Sequence, residues 1–338
     1  MKGISKIATV TLLGLVYGCQ EIFLGPEPPN TPTSNFDVFW QTFDQNYSYF
    51  SLKGVDWDSV YQVYRPQIDD NTTDDELFDI LVEIGELLRD GHYVITNGAE
   101  YYYSYYGSSL NKIPLQFQPA AFYLENERSA GNYISYATVK DTQLGYLRIA
   151  SFGGEDDEYA VIDQALQNLS STTGLILDVR TTGGGSTELA ETIAGRFADQ
   201  TYLYRHYKYR NGENWNDYTD PIAAHVVPQG ETNYLKPIIV ITDRRCLSAC
   251  EGFVLMLKAL PTVRTLGDTT FGGTARPITQ ELPNGWNYRV STWFVTEPNG
   301  EVVEGQGIAP DVLEPYVQLD SFDVADNAMD RAIELLSE

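Results

Sequence analysis

Two stretches of the chain share one pattern: an apolar run, a short loop, then a run with helical periodicity. The first is GLILDVR, TTGGGS and TELAETIAGRFA, and the second is KPIIVIT, DRRC and LSACEGFVLMLKAL. A strand that is apolar on both faces has to be covered on both, and helices interposed between such strands favour parallel pairing. LGYLRIASF predicts a further strand, DEYAVIDQALQNL a helix, WNYRVSTWFV a later amphipathic strand and VADNAMDRAIELL a closing helix. The expected fold class is therefore α/β, with parallel-paired strands and flanking helices over residues 141–338. Such sheets place ligand sites beyond the carboxyl ends of their strands, which points to the GGG loop and the RRCLSAC loop.

Ahead of this core, residues 35–92 read as a small helical domain. FDVFWQTFDQNYSYF puts Phe36, Phe39, Trp40, Phe43 and Tyr47 on one helical face. DWDSVYQVYRPQI predicts a second helix, stopped near Pro66. TDDELFDILVEIGELL predicts a third, with Thr73 and Glu76 at capping-box spacing and Gly91 as its C-cap. YVIT then reads as a strand, so His92 stands at a helix-to-strand junction. Residues 93–140 form a β-rich connecting segment. Its EYYYSYYGSS stretch reads as an aromatic edge strand or packed loop, with a substrate-stacking surface as the sharper alternative.

The first eighteen residues read as an export signal. Lys2 and Lys6 precede IATVTLLGLV, an apolar run too short to span a bilayer as a mature helix. LVYGC resembles a bacterial lipobox, with Cys19 as the lipidated residue. Residues 19–34, rich in Pro, Asn and Thr, predict an extended tether. The expected location is the bacterial cell envelope, with the membrane reached only through that lipid anchor. A net charge of -25 repels phosphate backbones and argues against nucleic-acid partners.

With Cys19 lipidated, Cys246 and Cys250 remain. At i,i+4 on one helix their disulfide geometry is poor, which predicts two buried thiols. Between them lies Ser248, at or near a helix N-terminus, where the dipole and free N–H groups stabilise negative charge. Ser248-Ala-Cys-Glu251 also fits a capping box, and spacing alone favours the cap. Lys258 lies about 15 Å along the helix from Ser248, too far to act as its base. Of the three histidines, His206 falls on an alternating strand and His225 in a loop. Scattered in this way, they and the cysteines predict no metal site, and no cofactor is expected.

LRDGH, LILDVRTTGGG, ITDRRCLSACEGF, LGDTTFGGTARP and EGQGIAPDV occur in this order. The set resembles the C-terminal processing and tricorn-core family of serine peptidases over residues 36–335. The resemblance implies a crotonase/ClpP-like protease core. It implies Ser248, the serine of SAxE, as nucleophile. One branch of the family places a lysine base where Gly273 stands here. The tricorn-like branch uses a histidine, matched by His92, oriented by a glutamate, matched by Glu304. Gly91 replaces a serine of the tricorn pattern, and Asp90 either substitutes for it or caps the turn. Ala249 and Gly183 or Gly184 would supply the oxyanion donors. The segment after His92 is too short for the PDZ domain that many processing peptidases carry. The implied function is an exported serine endopeptidase acting on unfolded or tail-like polypeptides. The alternative is a catalytically inactive member that binds peptides or acts as a scaffold lipoprotein.

Overall fold

The computed structural model describes residues 27–104, 122–154, 161–315 and 326–338. The export signal and Cys19 lie outside the described residues. The first helix, α1 (Pro32–Asn46), starts where Thr31 caps Ser34 N and Pro32 occupies the first turn. It therefore begins inside the stretch expected to be an extended tether, because a cap followed by proline is a helix start. Phe36, Phe39 and Phe43 form its buried stripe. Two short helices follow, α2 (Phe50–Lys53) and α3 (Trp57–Tyr64). Helix α4 (Asp74–Leu88) carries the expected capping box: Thr73 N donates to Glu76, and Glu76 N to Thr73 Oγ1. It ends at Arg89 in the left-handed conformation, two residues earlier than a Gly91 cap would place it.

The chain then forms β1 (Val94–Thr96) and β2 (Tyr101–Tyr103). The core follows with β3 (Leu124–Ala130), β4 (Ile134–Val139), β5 (Leu144–Ile149), α5 (Ile162–Asn168), β6 (Gly174–Asp178) and α6 (Thr187–Ala194). Next come β7 (Tyr202–Lys208), β8 (Ile222–Val226), β9 (Ile238–Thr242), α7 (Ala249–Lys258) and β10 (Val263–Gly267). The chain closes with β11 (Pro277–Glu281), β12 (Asn287–Ser291), β13 (Phe294–Thr296), β14 (Val312–Leu313) and α8 (Asn327–Ser337).

The central sheet has the order β14-β10-β9-β6-β5-β4-β3. Pairing is parallel from β5 through β6, β9 and β10 to β14, and antiparallel among β3, β4 and β5. The two-sided apolar strands β6 and β9 sit side by side in its middle, wholly buried. Their neighbouring register puts the loops after both strands at the same sheet end.

The helical region completes its core with strands from far along the chain. In the second sheet, β11-β12-β1-β2, Tyr288 and Val290 of β12 pack with Phe36, Phe39, Phe43 and Tyr93. WNYRVSTWFV is thus two strands, not one: β12 joins this sheet, while β13 joins β7 and β8. His225 lies on β8, exposed, rather than in a loop. The described part of the tyrosine-rich stretch, β2, is an edge strand.

Tyr93 ties this region together by lying across Gly85 of α4 while its hydroxyl donates to Leu81 O at 2.8 Å. A Cβ on Gly85 would stand 1.8 Å from Tyr93 Cε1. In an open helix, Gly→Ala stabilises by about 1 kcal/mol. Here the clash reverses the sign, and Gly85→Ala is expected to destabilise by about 1–3 kcal/mol, measured as a lower denaturant midpoint.

Candidate active site

Ser248 occupies the N-cap position of α7 with φ 61° and ψ -119°. A non-glycine residue in that region is strained, and such strain persists only where surrounding bonds hold it. Here the holder is Glu251, one turn into the helix and fully buried. Its carboxylate accepts from Ser248 N at 3.2 Å, Thr270 Oγ1 at 2.6 Å, Gly272 N at 2.7 Å and Gly273 N at 2.7 Å. Ser248 N also donates to Gly273 O at 3.0 Å. Burial raises the Glu251 pKa, and these four donors pull it back. The capping-box pattern SAxE thus builds a strained turn that holds the serine out from the helix end.

Ser248 Oγ lies 3.0 Å from His92 Nε2. His92 arrives from the junction after α4, where Asp90 forms the turn: its Oδ1 accepts from His92 N at 2.8 Å. Asp90 therefore takes the turn-capping role. Burial holds the His92 pKa below its ordinary 6.5; the Asp90 charge raises it and the Arg289 charge lowers it.

The GGG loop from β6 reaches the same place. Leu247 N donates to Thr182 O at 3.2 Å and Thr181 N to Asp243 at 3.1 Å, which binds the two strand-end loops together. Gly184, at φ 95°, packs so closely that a Cβ would lie 2.9 Å from Ser248 Cβ and 3.2 Å from Ala249 N. Only glycine fits both the angle and the space. Gly183 and Ser248 both line a cleft of about 450 Å³, together with His92, Tyr103, Glu188, Arg276 and Arg289.

Two expectations need correction. Glu304 was expected to join His92, but its Oε1 accepts instead from Lys53 Nζ at 2.9 Å, with both side chains almost wholly buried. Lys53 engages one oxygen of the carboxylate, and no hydrogen bond joins the other to His92. His92 Nδ1 and Glu304 Oε2 are both buried without a hydrogen-bond partner among the described residues. Burial pushes Glu304 up to about 8, with Asp90 and Glu251 adding to the rise and Lys53 opposing it. The second correction concerns the cysteines: Cys246 and Cys250 form a disulfide with Cα atoms 5.4 Å apart. Cys246 lies before the start of α7, so the one-face helical spacing does not apply. The lysine position of the other family branch is filled by Gly273, where a Cβ would meet Leu247 Cδ1 at 2.5 Å and His92 Cε1 at 3.5 Å. Lys258 is engaged elsewhere, donating to Ala309 O at 2.8 Å.

The peptidase family S41 profile matches residues 143–313, just over half of the chain, and the tricorn protease C1 domain profile matches residues 28–85. The chain belongs to peptidase family S41. A candidate peptidase from Parabacteroides merdae is 32% identical, with a TM-score of 0.80, over 92% of this chain and 98% of that one. Mature CPAF shares the fold at 12% identity and a TM-score of 0.66, over 91% of this chain and 95% of that one. The carboxy-terminal processing protease CtpA of Bacillus subtilis is 27% identical over 56% of this chain. The match spans only 39% of that relative's length.

Sequence reasoning identified the Ser248–His92 pair of this S41 chain and missed Lys53, whose place at the end of α2 reads as an ordinary cation on a helix C-terminus. The Glu304 carboxyl has a sign that can be tested. Its folded pKa stands above its ordinary value of 4.5, so its stabilising contribution is complete below 4.5 and lost as pH rises toward about 8. Wild-type stability is expected to fall across that window, by on the order of 1 kcal/mol per pH unit at most. The double variant Lys53→Met/Glu304→Gln is expected to lack this component. Thermal melts of both proteins from pH 4.5 to 8 measure the difference.

Proposed function

We propose that this S41 chain is an exported serine endopeptidase that cleaves unfolded or tail-like polypeptides through an acyl-enzyme. The observation that carries the reading is the 3.0 Å contact between Ser248 Oγ and His92 Nε2 at the floor of an open cleft. Ser248 Oγ attacks the peptide carbonyl carbon, and its proton passes to His92 Nε2. The new oxyanion is received by the N–H of Ala249 and of Gly183 or Gly184, at the positive end of α7. The C–N bond then breaks, and His92 returns its proton to the departing amine. Water, activated by the same imidazole, hydrolyses the ester and frees Ser248.

The imidazolium formed in the first step draws support from Asp90, the carboxylate whose charge raises the His92 pKa. Glu304, the residue that the family pattern offers as orienter, is held by Lys53. We therefore assign the nearer electrostatic role to Asp90 and the outer one to Glu304.

Ser248→Ala is expected to abolish fluorophosphonate labelling and to lower peptide hydrolysis by several orders of magnitude. His92→Ala should cost nearly as much. Asp90→Asn, which keeps an acceptor for His92 N, should cost more than Glu304→Gln. Because burial depresses the His92 pKa, the acid limb of kcat/KM should have its midpoint below 6.5, and Asp90→Asn should lower it further. Wild-type protein that neither labels nor hydrolyses any peptide in a broad library would leave the peptide-binding scaffold as the reading.

The export signal and the LVYGC motif support a mature chain held on an envelope membrane through acyl chains on Cys19. Among the described residues, no helix is long and apolar enough to cross a membrane. Cys19→Ser is expected to end incorporation of labelled palmitate in a bacterial host and to move the protein into the soluble fraction; unlabelled wild type would refute the anchor.

A further inference from the structure

Arg289 sits in the middle of β12, between Tyr288 and Val290. Those two neighbours are buried in the helical region's core, so strand alternation turns Arg289 to the opposite face, where it lines the cleft with His92 and Ser248. It is half-buried, and among the described residues no carboxylate lies within salt-bridge distance of it. The chain carries 47 acidic residues against 22 Lys and Arg, so a cation in a cleft would easily have found a partner within the protein. The other cleft arginine has one. Arg276 pairs with Glu188 at 3.5 Å and lies over the Trp293 ring at 5.1 Å. Among the described residues, Arg289 is thus a guanidinium without a carboxylate partner, lining the same cleft as Ser248 and His92. A guanidinium binds a carboxylate or a phosphate through two parallel bonds, and of these an unmodified polypeptide carries the carboxylate.

We propose that Arg289 is the receptor for a carboxylate of the substrate, so that the cleft selects polypeptides carrying an acidic group within a few residues of the bond to be cut. This rests on the peptidase reading of the same cleft and gives it a substrate preference. The carboxylate comes either from a free chain terminus or from an Asp or Glu side chain. Its charge also falls near His92, where it offsets the arginine's repulsion of the imidazolium once substrate is seated. Arg289 is a specificity-determining residue and takes no part in moving protons.

The test uses the full chain with Ser248→Ala, so that binding is read without turnover. One fluorescent ten-residue peptide is prepared in four forms: neutral with a free C-terminus, neutral and amidated, amidated with a central Glu, and amidated with a central Lys. Anisotropy titration should show at least one acidic form binding about tenfold more tightly than the neutral amidated form. A preference lost on amidation identifies the chain terminus; one kept by the amidated Glu peptide identifies the side chain. Arg289→Gln should erase the preference, Arg289→Lys should keep part of it, and Arg289→Glu should turn it toward the Lys peptide. Equal binding of all four forms would overturn the proposal, as would an acidic preference that survives Arg289→Gln. Fluorophosphonate labelling of the Ser248-containing protein is scored separately. If it fails while the acidic preference stands, the peptidase reading falls and the carboxylate site remains. Near-equal melting temperatures of the arginine variants exclude misfolding as the cause of lost preference.

Discussion

A single buried carboxylate holds the candidate site together. Glu251 ties Ser248 N to Thr270, Gly272 and Gly273 through four hydrogen bonds. Ser248 could not remain at φ 61° without such a clamp, since the left-handed region costs about 1–3 kcal/mol for a residue with a side chain. The same clamp draws the 270–273 segment against His92, whose Cε1 comes within 3.5 Å of where a Gly273 Cβ would be. Removing the carboxylate would leave the N–H groups of Gly272 and Gly273 and the Thr270 hydroxyl without this acceptor, and would leave Ser248 N with Gly273 O alone, at a cost well beyond one lost bond. The motif that looks like an ordinary helix cap is a cap turned to hold a strained serine in place.

Behind His92 lies a second buried polar group, and it joins the two halves of the molecule. Lys53 comes from the helical region and Glu304 from the end of the core, yet their side chains meet at 2.9 Å almost out of solvent. Lys53 also donates to Arg89 O at 3.2 Å, next to Asp90. Tyr47 and Tyr49 are both buried beside this group, and the charges of Asp90 and Glu304 add to the rise in their pKa values caused by burial. Buried charges of this kind are tolerated only when paired. The helical region therefore contributes the cation that Glu304 pairs with, as well as an aromatic core.

Much of this was legible along the chain because it rests on local patterns. The runs GLILDVR and KPIIVIT became adjacent parallel strands, because strands without a polar face can live only inside a sheet covered on both sides. Thr73 and Glu76 formed their box, since capping depends only on neighbours three residues apart. The ordered motifs around His92 and Ser248 led to the family and to the pair that meets at 3.0 Å. The disulfide was not legible, since it depends on where α7 begins, and Cys246 falls just before that start. Nor was the break between β12 and β13, because WNYRVSTWFV alternates throughout and nothing local says that its halves join different sheets.

The sequence by itself determined the α/β class, the parallel core strands, the capped start of α4 and the identity of the Ser–His pair, because each follows from periodicity, capping or a motif contained in a short window. Tertiary structure alone decided which carboxylate stands near the base, which cation claims Glu304, and which arginine faces the cleft with no carboxylate partner among the described residues. Those outcomes are contests between groups that may be hundreds of residues apart, settled by distance and desolvation. A buried ion pair such as Lys53–Glu304, between residues 251 positions apart, leaves no periodicity in the chain from which it could be read.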